Sequence, residues 1–265
     1  MKSEQIKKVI VFIGTPRKQA TYQAVEEFVT NLKSYAEIDC EYVFFNDYHL
    51  ENCIGCKLCF NKGEEYCPLN DDRDLLIEKI IHSDGIVFAT PNYSFQVTAL
   101  MKNFLDRISF ILHRPRFFGK TFMAMVTQGI FGGASIVKYL EFVGQGLGFN
   151  VTKGCCLTAL EPKTALEQKK ITQQVKKASA RFHKNLMRTT PPTPSFFKLM
   201  MFRMVRTNLR KLDEKFRDYR YFKENGWFES DYYYDVSLGF IKKPVGRFFD
   251  FLGERMAKQK FRTLK

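Results

Sequence analysis

The chain has 265 residues, enough for one full domain with an ample core and an appendage. Hydrophobic residues make up 45%, a globular composition, and no run reaches the ~18 uninterrupted apolar residues of a membrane span. Forty-two Lys and Arg against 28 Asp and Glu leave a net charge of +14, which admits nucleotides, acidic proteins, anionic lipid or nucleic acid as partners without choosing among them.

Residues 1–8 lead straight into a strand-like run, with no apolar signal segment ending in a small-residue cleavage site. Seven cysteines, an odd number with four crowded together, make a poor disulfide framework. The expectation from both is a reducing cytoplasm.

In chain order, residues 8–13 form a short apolar run ended by Gly14, and a helix follows over 21–35 with Val25, Phe28, Val29 and Leu32 on one face. Residues 41–45 read as a second strand, followed by the cysteine loop. Asn70-Asp71-Asp72 offers an N-cap to a helix carrying Leu75, Leu76, Ile77, Ile80 and Ile81. Strands over 85–90, 121–126 and 150–157 alternate with helices over 98–112, 135–146 and 164–187. That alternation predicts an α/β protein with a parallel sheet wrapped on both faces.

Arg188-Thr189-Thr190-Pro191-Pro192-Thr193-Pro194 is a proline-rich break, which divides the chain into 1–188 and 189–265. Beyond it lie 17 of the chain's 40 aromatic residues and 17 Lys and Arg against 9 Asp and Glu. Helical spacing recurs in Phe197, Met200, Met201, Met204 and Val205, and again in Val245, Phe248, Phe249, Leu252 and Met256. The stretch between, 221–240, reads as irregular. This extension is read as a packing or dimerisation arm; contact with a membrane surface is the less favoured reading and nucleic acid the least.

The loop over 53–67 carries Cys53, Cys56, Cys59 and Cys67, with Pro68 after the last. Thiolates two residues apart in a tight turn can converge, and a fourth beyond a loop can close the shell. The spacing is similar to the bacterial ferredoxin run, which points to a 4Fe–4S cluster. Zinc, whose four-thiolate sites usually pair the cysteines two and two, and unmetallated thiols are the alternatives. Cys155 and Cys156 adjoin in a strand, face opposite ways and cannot share a metal.

Ligands of a parallel sheet bind outside the carboxyl ends of its strands. Three loops leave that edge. Gly14 to Tyr22 brings Thr15, Arg17, Lys18 and Thr21 to a helix N-terminus, a setting for one phosphate. It lacks the P-loop ending and the further glycines of the dinucleotide fingerprint. Pro91, Asn92, Tyr93, Ser94 and Phe95 can flank a flat ring. Gln128, Gly129, Gly132 and Gly133 let backbone approach a ligand.

Gly14-Thr15-Pro16-Arg17-Lys18 after the first strand resembles the phosphate loop of the NADPH-dependent FMN reductases. Pro91-Asn92-Tyr93, followed by Leu100-Met101-Lys102 and Leu105-Asp106-Arg107, resembles that family's second signature. The cysteine run before Asp71-Asp72 is similar to its iron–sulfur flavoprotein branch. The resemblance covers residues 7–188 and implies a flavodoxin-like, doubly wound, five-stranded sheet of order 2-1-3-4-5. It implies FMN, with Thr15, Arg17, Lys18 and Thr21 on the phosphate and the two later loops bracketing the ring. The phosphate loop is about one residue shorter than the common form, and residues 191–265 match nothing in the core family.

The function so implied is an FMN-dependent oxidoreductase that takes electrons from NAD(P)H or another donor and passes them to an acceptor the sequence does not identify. A homodimer is expected. The alternative is a flavodoxin-like carrier with no nicotinamide site, although such carriers tend to be acidic. No catalytic acid or base is assigned, because the hard chemistry belongs to the cofactor. Asn92, Tyr93 and Gln128 are the candidates for tuning the ring. His113-Arg114-Pro115-Arg116 reads as a solvated helix end.

Overall fold

The computed structural model describes residues 6–262; residues 1–5 and 263–265, the tip of the N-terminal run and the end of the extension, lie outside it. The chain forms two compact units, one of Met1–Ile54 with Leu69–Thr189 and one of Gly55–Pro68 with Thr190–Lys265. Most of the cysteine loop therefore groups with the residues beyond the proline-rich break.

The strands are β1 (Lys7–Ile13), β2 (Ile38–Phe44), β3 (Gly85–Pro91), β4 (Thr121–Gln128), β5 (Asn150–Val151) and β6 (Cys155–Thr158). The helices are α1 (Ala20–Tyr35), α2 (Leu58–Asn61), α3 (Arg73–Ile81), α4 (Ala99–Arg107), α5 (Gly133–Gly146) and α6 (Ala165–Leu186). The second unit adds α7 (Phe196–Leu209), α8 (Arg217–Glu224) and α9 (Gly239–Arg262). All strand pairs of the sheet are parallel, in the order β2-β1-β3-β4-β5, with β6 also on β4. This is the flavodoxin-like arrangement.

Val9 to Ile13 are all fully buried, as expected of a central strand covered on both faces. Alternation along β1 sends Val9, Val11 and Ile13 into one core with Phe28 of α1 and Phe182 of α6. Phe12 enters an aromatic core on the opposite face, its ring 5.5 Å from Phe88 and 5.6 Å from Phe104. The fifth strand, expected as one run, is two pieces. Its break falls at Gly154, where a Cβ would come within 2.4 Å of the Ala124 carbonyl oxygen.

Two further expectations change. Asp72 is the N-cap of α3, yet its side chain makes no cap bond and instead accepts from the His49 amide at 2.7 Å. Arg114, expected in solvent, is fully buried with its guanidinium 5.5 Å from the centre of the Phe110 ring. Arg73 and Arg116 lie over the same ring, at 5.4 and 5.3 Å. A Phe face attracts flat guanidinium groups once water is excluded.

The feet of the cysteine loop are joined inside the first unit. Asp71 accepts from Arg107 at 2.9 Å, and the two side chains are 1% and 2% exposed. The other Asp71 oxygen accepts from the Glu51 amide at 2.9 Å. Asn103, one turn earlier on α4, donates to the Leu50 carbonyl at 3.0 Å. Replacing Asp71 by Ala would strand a buried guanidinium, so a loss of about 3–5 kcal/mol of stability is expected in denaturant titration. A change under 1 kcal/mol, a surface pair's worth, would contradict this account.

The second unit has its own core. Phe202 and Phe222 are fully buried, and Trp227 donates its ring N–H to the Tyr233 carbonyl at 3.0 Å. α8 occupies part of the 221–240 stretch expected to be irregular, because its first turn starts upstream, at Arg217. Arg220 of α8 donates to the Lys62 carbonyl of the cysteine loop at 3.0 Å.

Candidate active site

β1 ends at Gly14, whose amide donates to the Ala89 carbonyl at 2.8 Å. Its own carbonyl accepts from the Thr98 hydroxyl at 2.6 Å. A Cβ at Gly14 would stand 3.0 Å from that hydroxyl and 3.2 Å from Met101, so the backbone turns here only by passing close over α4. Thr98 also caps α4, accepting from the Met101 amide at 3.3 Å. One threonine thus fixes both the start of the β1–α1 loop and the helix beneath it.

In the loop itself, the Thr15 hydroxyl accepts from the Arg17 amide at 3.2 Å, and Arg17 engages the Gln19 side chain. No side chain caps α1, and its first turn holds no acid. Its leading N–H groups and dipole are thereby left for an anion. Thr21 is buried and shares a 2.6 Å hydrogen bond with Thr127 at the end of β4.

The second loop contains two adjacent non-glycine residues in the left-handed region, Ser94 at φ 50° and Phe95 at φ 62°. Tyr93 and Gln96 close the turn with reciprocal backbone bonds of 3.0 and 2.9 Å. Such strain is tolerated where a loop must hold one shape. The Asn92 amide donates to the Thr127 carbonyl at 2.7 Å, joining this loop to the third. Its side-chain NH2 donates to the Phe131 carbonyl at 2.9 Å, which orients the amide. The opposite atom, Oδ1, is buried with no hydrogen-bond partner in the structure. An acceptor in that state is costly unless a ligand supplies a donor.

The third loop is tied by Gln128. Its Oε1 accepts from the Gly133 amide at 2.7 Å, and its Nε2 donates to Thr158 at 3.0 Å and to the Ile130 carbonyl at 3.2 Å. The side chain is spent on shaping the loop, so what it contributes to a ligand is the position of Gly129. Gly132, at φ 94°, lies under Phe95: a Cβ there would be 2.5 Å from the ring. Phe95 in turn packs on Phe131, ring centres 5.3 Å apart.

The three loops enclose a cavity of about 580 Å³ at the carboxyl edge of the sheet. Of the residues singled out in the sequence, Thr15, Arg17, Thr21, Pro91, Asn92, Tyr93, Gln128 and Gly129 line it. Lys18 turns elsewhere, its ammonium 5.8 and 5.7 Å from the ring centres of Tyr22 and Phe44. Ser94, Phe95, Gly132 and Gly133 shape the loops that carry the lining residues. Gln19 and Thr127, in the same loops, also line the cavity, as do Gln23, Ala159 and Glu161, which went unnoticed in the sequence. The end of β6 was the signal available for Ala159 and Glu161. Glu161 is held ionised by its hydrogen bond to Lys163, so an anion sits at the rim. Uncapped amides, Arg17 and the unpaired Asn92 oxygen fit a ligand with a phosphate at one end and a polar planar ring at the other.

The cysteines separate into two groups. Burial pushes the Cys155 thiol up to about 12 and the Cys40 thiol up to about 11, which keeps both protonated and inert. In the loop, Cys53 and Cys56 are exposed, and Cys59 and Cys67 are half-buried. Gly55 at φ 68° and Lys57 at φ 59° curl the chain between the first three. Among the described residues, no three His, Cys, Asp or Glu side chains form a group able to hold a metal ion.

Residues 7–159 match the model of the NADPH-dependent FMN reductase family. An iron–sulfur flavoprotein of Archaeoglobus fulgidus is 29% identical over 142 residues, 53% of this chain and 69% of that protein. An iron–sulfur flavoprotein of Methanocaldococcus jannaschii is 33% identical over 100 residues, 38% of this chain and 51% of that protein. The crystal structure of RosB with a bound riboflavin-5'-phosphate derivative superposes with a TM-score of 0.54 at 15% identity, over 89% of this chain and 93% of that one. With the family model spanning more than half the chain and the fold and cavity in agreement, this protein belongs to the NADPH-dependent FMN reductase family and is an FMN oxidoreductase of flavodoxin-like fold.

Proposed function

We propose that the protein is an NAD(P)H-dependent FMN oxidoreductase whose Cys53, Cys56, Cys59 and Cys67 would hold a 4Fe–4S cluster, which would supply one-electron transfer toward an acceptor the sequence does not identify. The observation that carries the flavin half is the cavity at the sheet edge with its uncapped α1 amides. The cluster half rests on the four-thiol loop and on the similarity to proteins named iron–sulfur flavoproteins. FMN supplies two-electron hydride chemistry and a cubane one-electron transfer, so the pair converts one currency of reduction into the other.

The chain's own residues bind and orient. The first amides of α1, Thr15, Thr21 and Arg17 hold the phosphate by charge-assisted hydrogen bonds. Pro91, Asn92 and Tyr93 would flank the ring, and Asn92 Oδ1 would be free to accept from a polar N–H of it. The Gln128 clamp holds Gly129 at the ring's edge. Tyr93, Phe95, Ile130 and Phe131 are exposed beside the cavity, and a second copy of the first unit covering them would make a homodimer whose partner keeps water from the ring. The free thiols favour a cytoplasmic setting.

Denaturing the protein and chromatographing the released cofactor is expected to give FMN; FAD would refute the assignment, because one helix N-terminus offers a place for one phosphate. Arg17→Ala is expected to weaken FMN binding about ten- to a hundredfold, the worth of a hydrogen bond from a charged group. Unchanged affinity would put the phosphate elsewhere.

Cys56→Ser is expected to lose iron and acid-labile sulfide while keeping flavin. Anaerobically purified parent protein with full flavin and neither iron nor sulfide would refute the cluster, and zinc in their place would make the loop structural.

A further inference from the structure

α9 has two faces of opposite character. Toward α7 it turns small and acidic residues: Ala257 is fully buried, and a Cβ on Gly246 or Gly253 would meet Arg203 or Thr207 at 3.2 Å. Asp250 locks the pair of helices, accepting from Arg203 at 2.8 Å and from Arg206 at 2.6 Å. This fixes which side of α9 looks outward. That side carries Phe240, Ile241, Phe248, Phe251 and Met256, each at least 55% exposed and Phe240 88% exposed. At 3.6 residues per turn they fall in one stripe opposite the Gly246–Gly253 seam.

A stripe of this size loses hydrophobic stabilisation for as long as it faces water, so it marks a contact surface. Its surroundings say with what. Lys243 and Arg247 stand along one edge of the stripe, Arg255 and Lys258 stand within it, and Lys242 is turned to the Pro194 carbonyl at 2.7 Å; the helix's acids are Asp250, turned inward, and Glu254. Aromatic and aliphatic groups interleaved with and edged by cations suit a helix lying in the headgroup layer of an anionic bilayer. Long cationic side chains such as Arg255 reach sideways to headgroups while their stems stay with the apolar side. Among the described residues no helix is long and apolar enough to cross a membrane, so the geometry is that of a helix lying flat.

We infer that the outward face of α9 is a lipid-binding element that seats this protein on an anionic membrane surface. Charge sets this partner above a second copy of the same face. Residues 191–265 hold 17 Lys and Arg against 9 Asp and Glu, and a symmetric pairing would bring those excess cations together. Nucleic acid fits less well, because its sites place cations along the track of the backbone and Ile241 and Met256 offer no ring to a base. The inference needs neither flavin nor cluster, so its failure would leave the proposed redox function standing.

The test is co-sedimentation of the full chain with vesicles of phosphatidylcholine mixed with phosphatidylglycerol, compared with phosphatidylcholine alone. Binding to the anionic vesicles is expected, at least about tenfold weaker without the anionic lipid and weakened by salt. Phe248→Glu with Phe251→Glu is expected to reduce binding about tenfold or more. Lys243→Gln with Arg247→Gln is expected to weaken it and flatten its salt dependence. All four positions are exposed, so both double variants should melt with the parent by circular dichroism; the separate Phe240→Glu variant repeats the test at the helix start. A full chain that stays in solution with anionic vesicles would overturn the inference. So would a Phe248→Glu, Phe251→Glu protein that still binds vesicles but has changed from dimer to monomer by sedimentation velocity, which would make the stripe an interface between copies.

Discussion

The ion pair between Arg107 and Asp71 holds together parts of the first unit that are far apart in sequence. A buried pair of this kind contributes little net energy, because desolvation offsets attraction, but it tolerates no partial loss. Arg107 ends α4 and Thr98 begins it. At one end the helix carries the feet of the cysteine loop; at the other it carries the carbonyl of Gly14, where the phosphate loop starts. Within the first unit the helix therefore ties the residues flanking the cysteine loop to the turn after β1. The strand-end loops then inherit their positions from it: Asn92 reaches Thr127, and Thr127 reaches Thr21.

How much of this the sequence disclosed depends on the range of the forces involved. The strand order and the turn from β1 into α1 were legible, because apolar runs, Gly14 and the following helix start are local signals. Arg107 and Asp71 each belonged to a recognisable motif, yet their pairing was not legible: Asp71 and Asp72 read as a helix start, and only tertiary placement reveals that Asp71, besides accepting from the Arg73 amide at 3.2 Å, also meets Arg107 and Glu51 while Asp72 meets His49. Arg114 misled for the same reason. A cation after a helix is usually solvated, and nothing nearby in sequence announces that Phe110 will also lie beneath Arg73 and Arg116. Gln128 was noticed for its place after β4, but its hydrogen bonds to Gly133 and Thr158 make it a builder of the loop.

The extension shows a similar limit. Its helical spacing could be read, but the direction of each apolar stripe could not. In α9 Gly246 and Gly253 are buried while Phe240, Phe248 and Phe251 are exposed, the reverse of the usual expectation from composition. What decides it is the close approach that glycine allows to α7 and the Asp250 contacts that this approach makes possible.

The grouping of residues 55–68 with 190–265 carries a consequence for how the protein is made. The segment bearing Cys56, Cys59 and Cys67 leaves the ribosome long before α8, whose Arg220 holds the Lys62 carbonyl. The flavin-side sheet can close while that loop is still waiting for its neighbours, since domains fold as units in the order of synthesis. Three thiols thus remain without their later neighbours through most of translation. A cluster of the kind proposed for this loop would meet Cys56, Cys59 and Cys67 in their finished surroundings only after α8 has emerged, late in the protein's biogenesis.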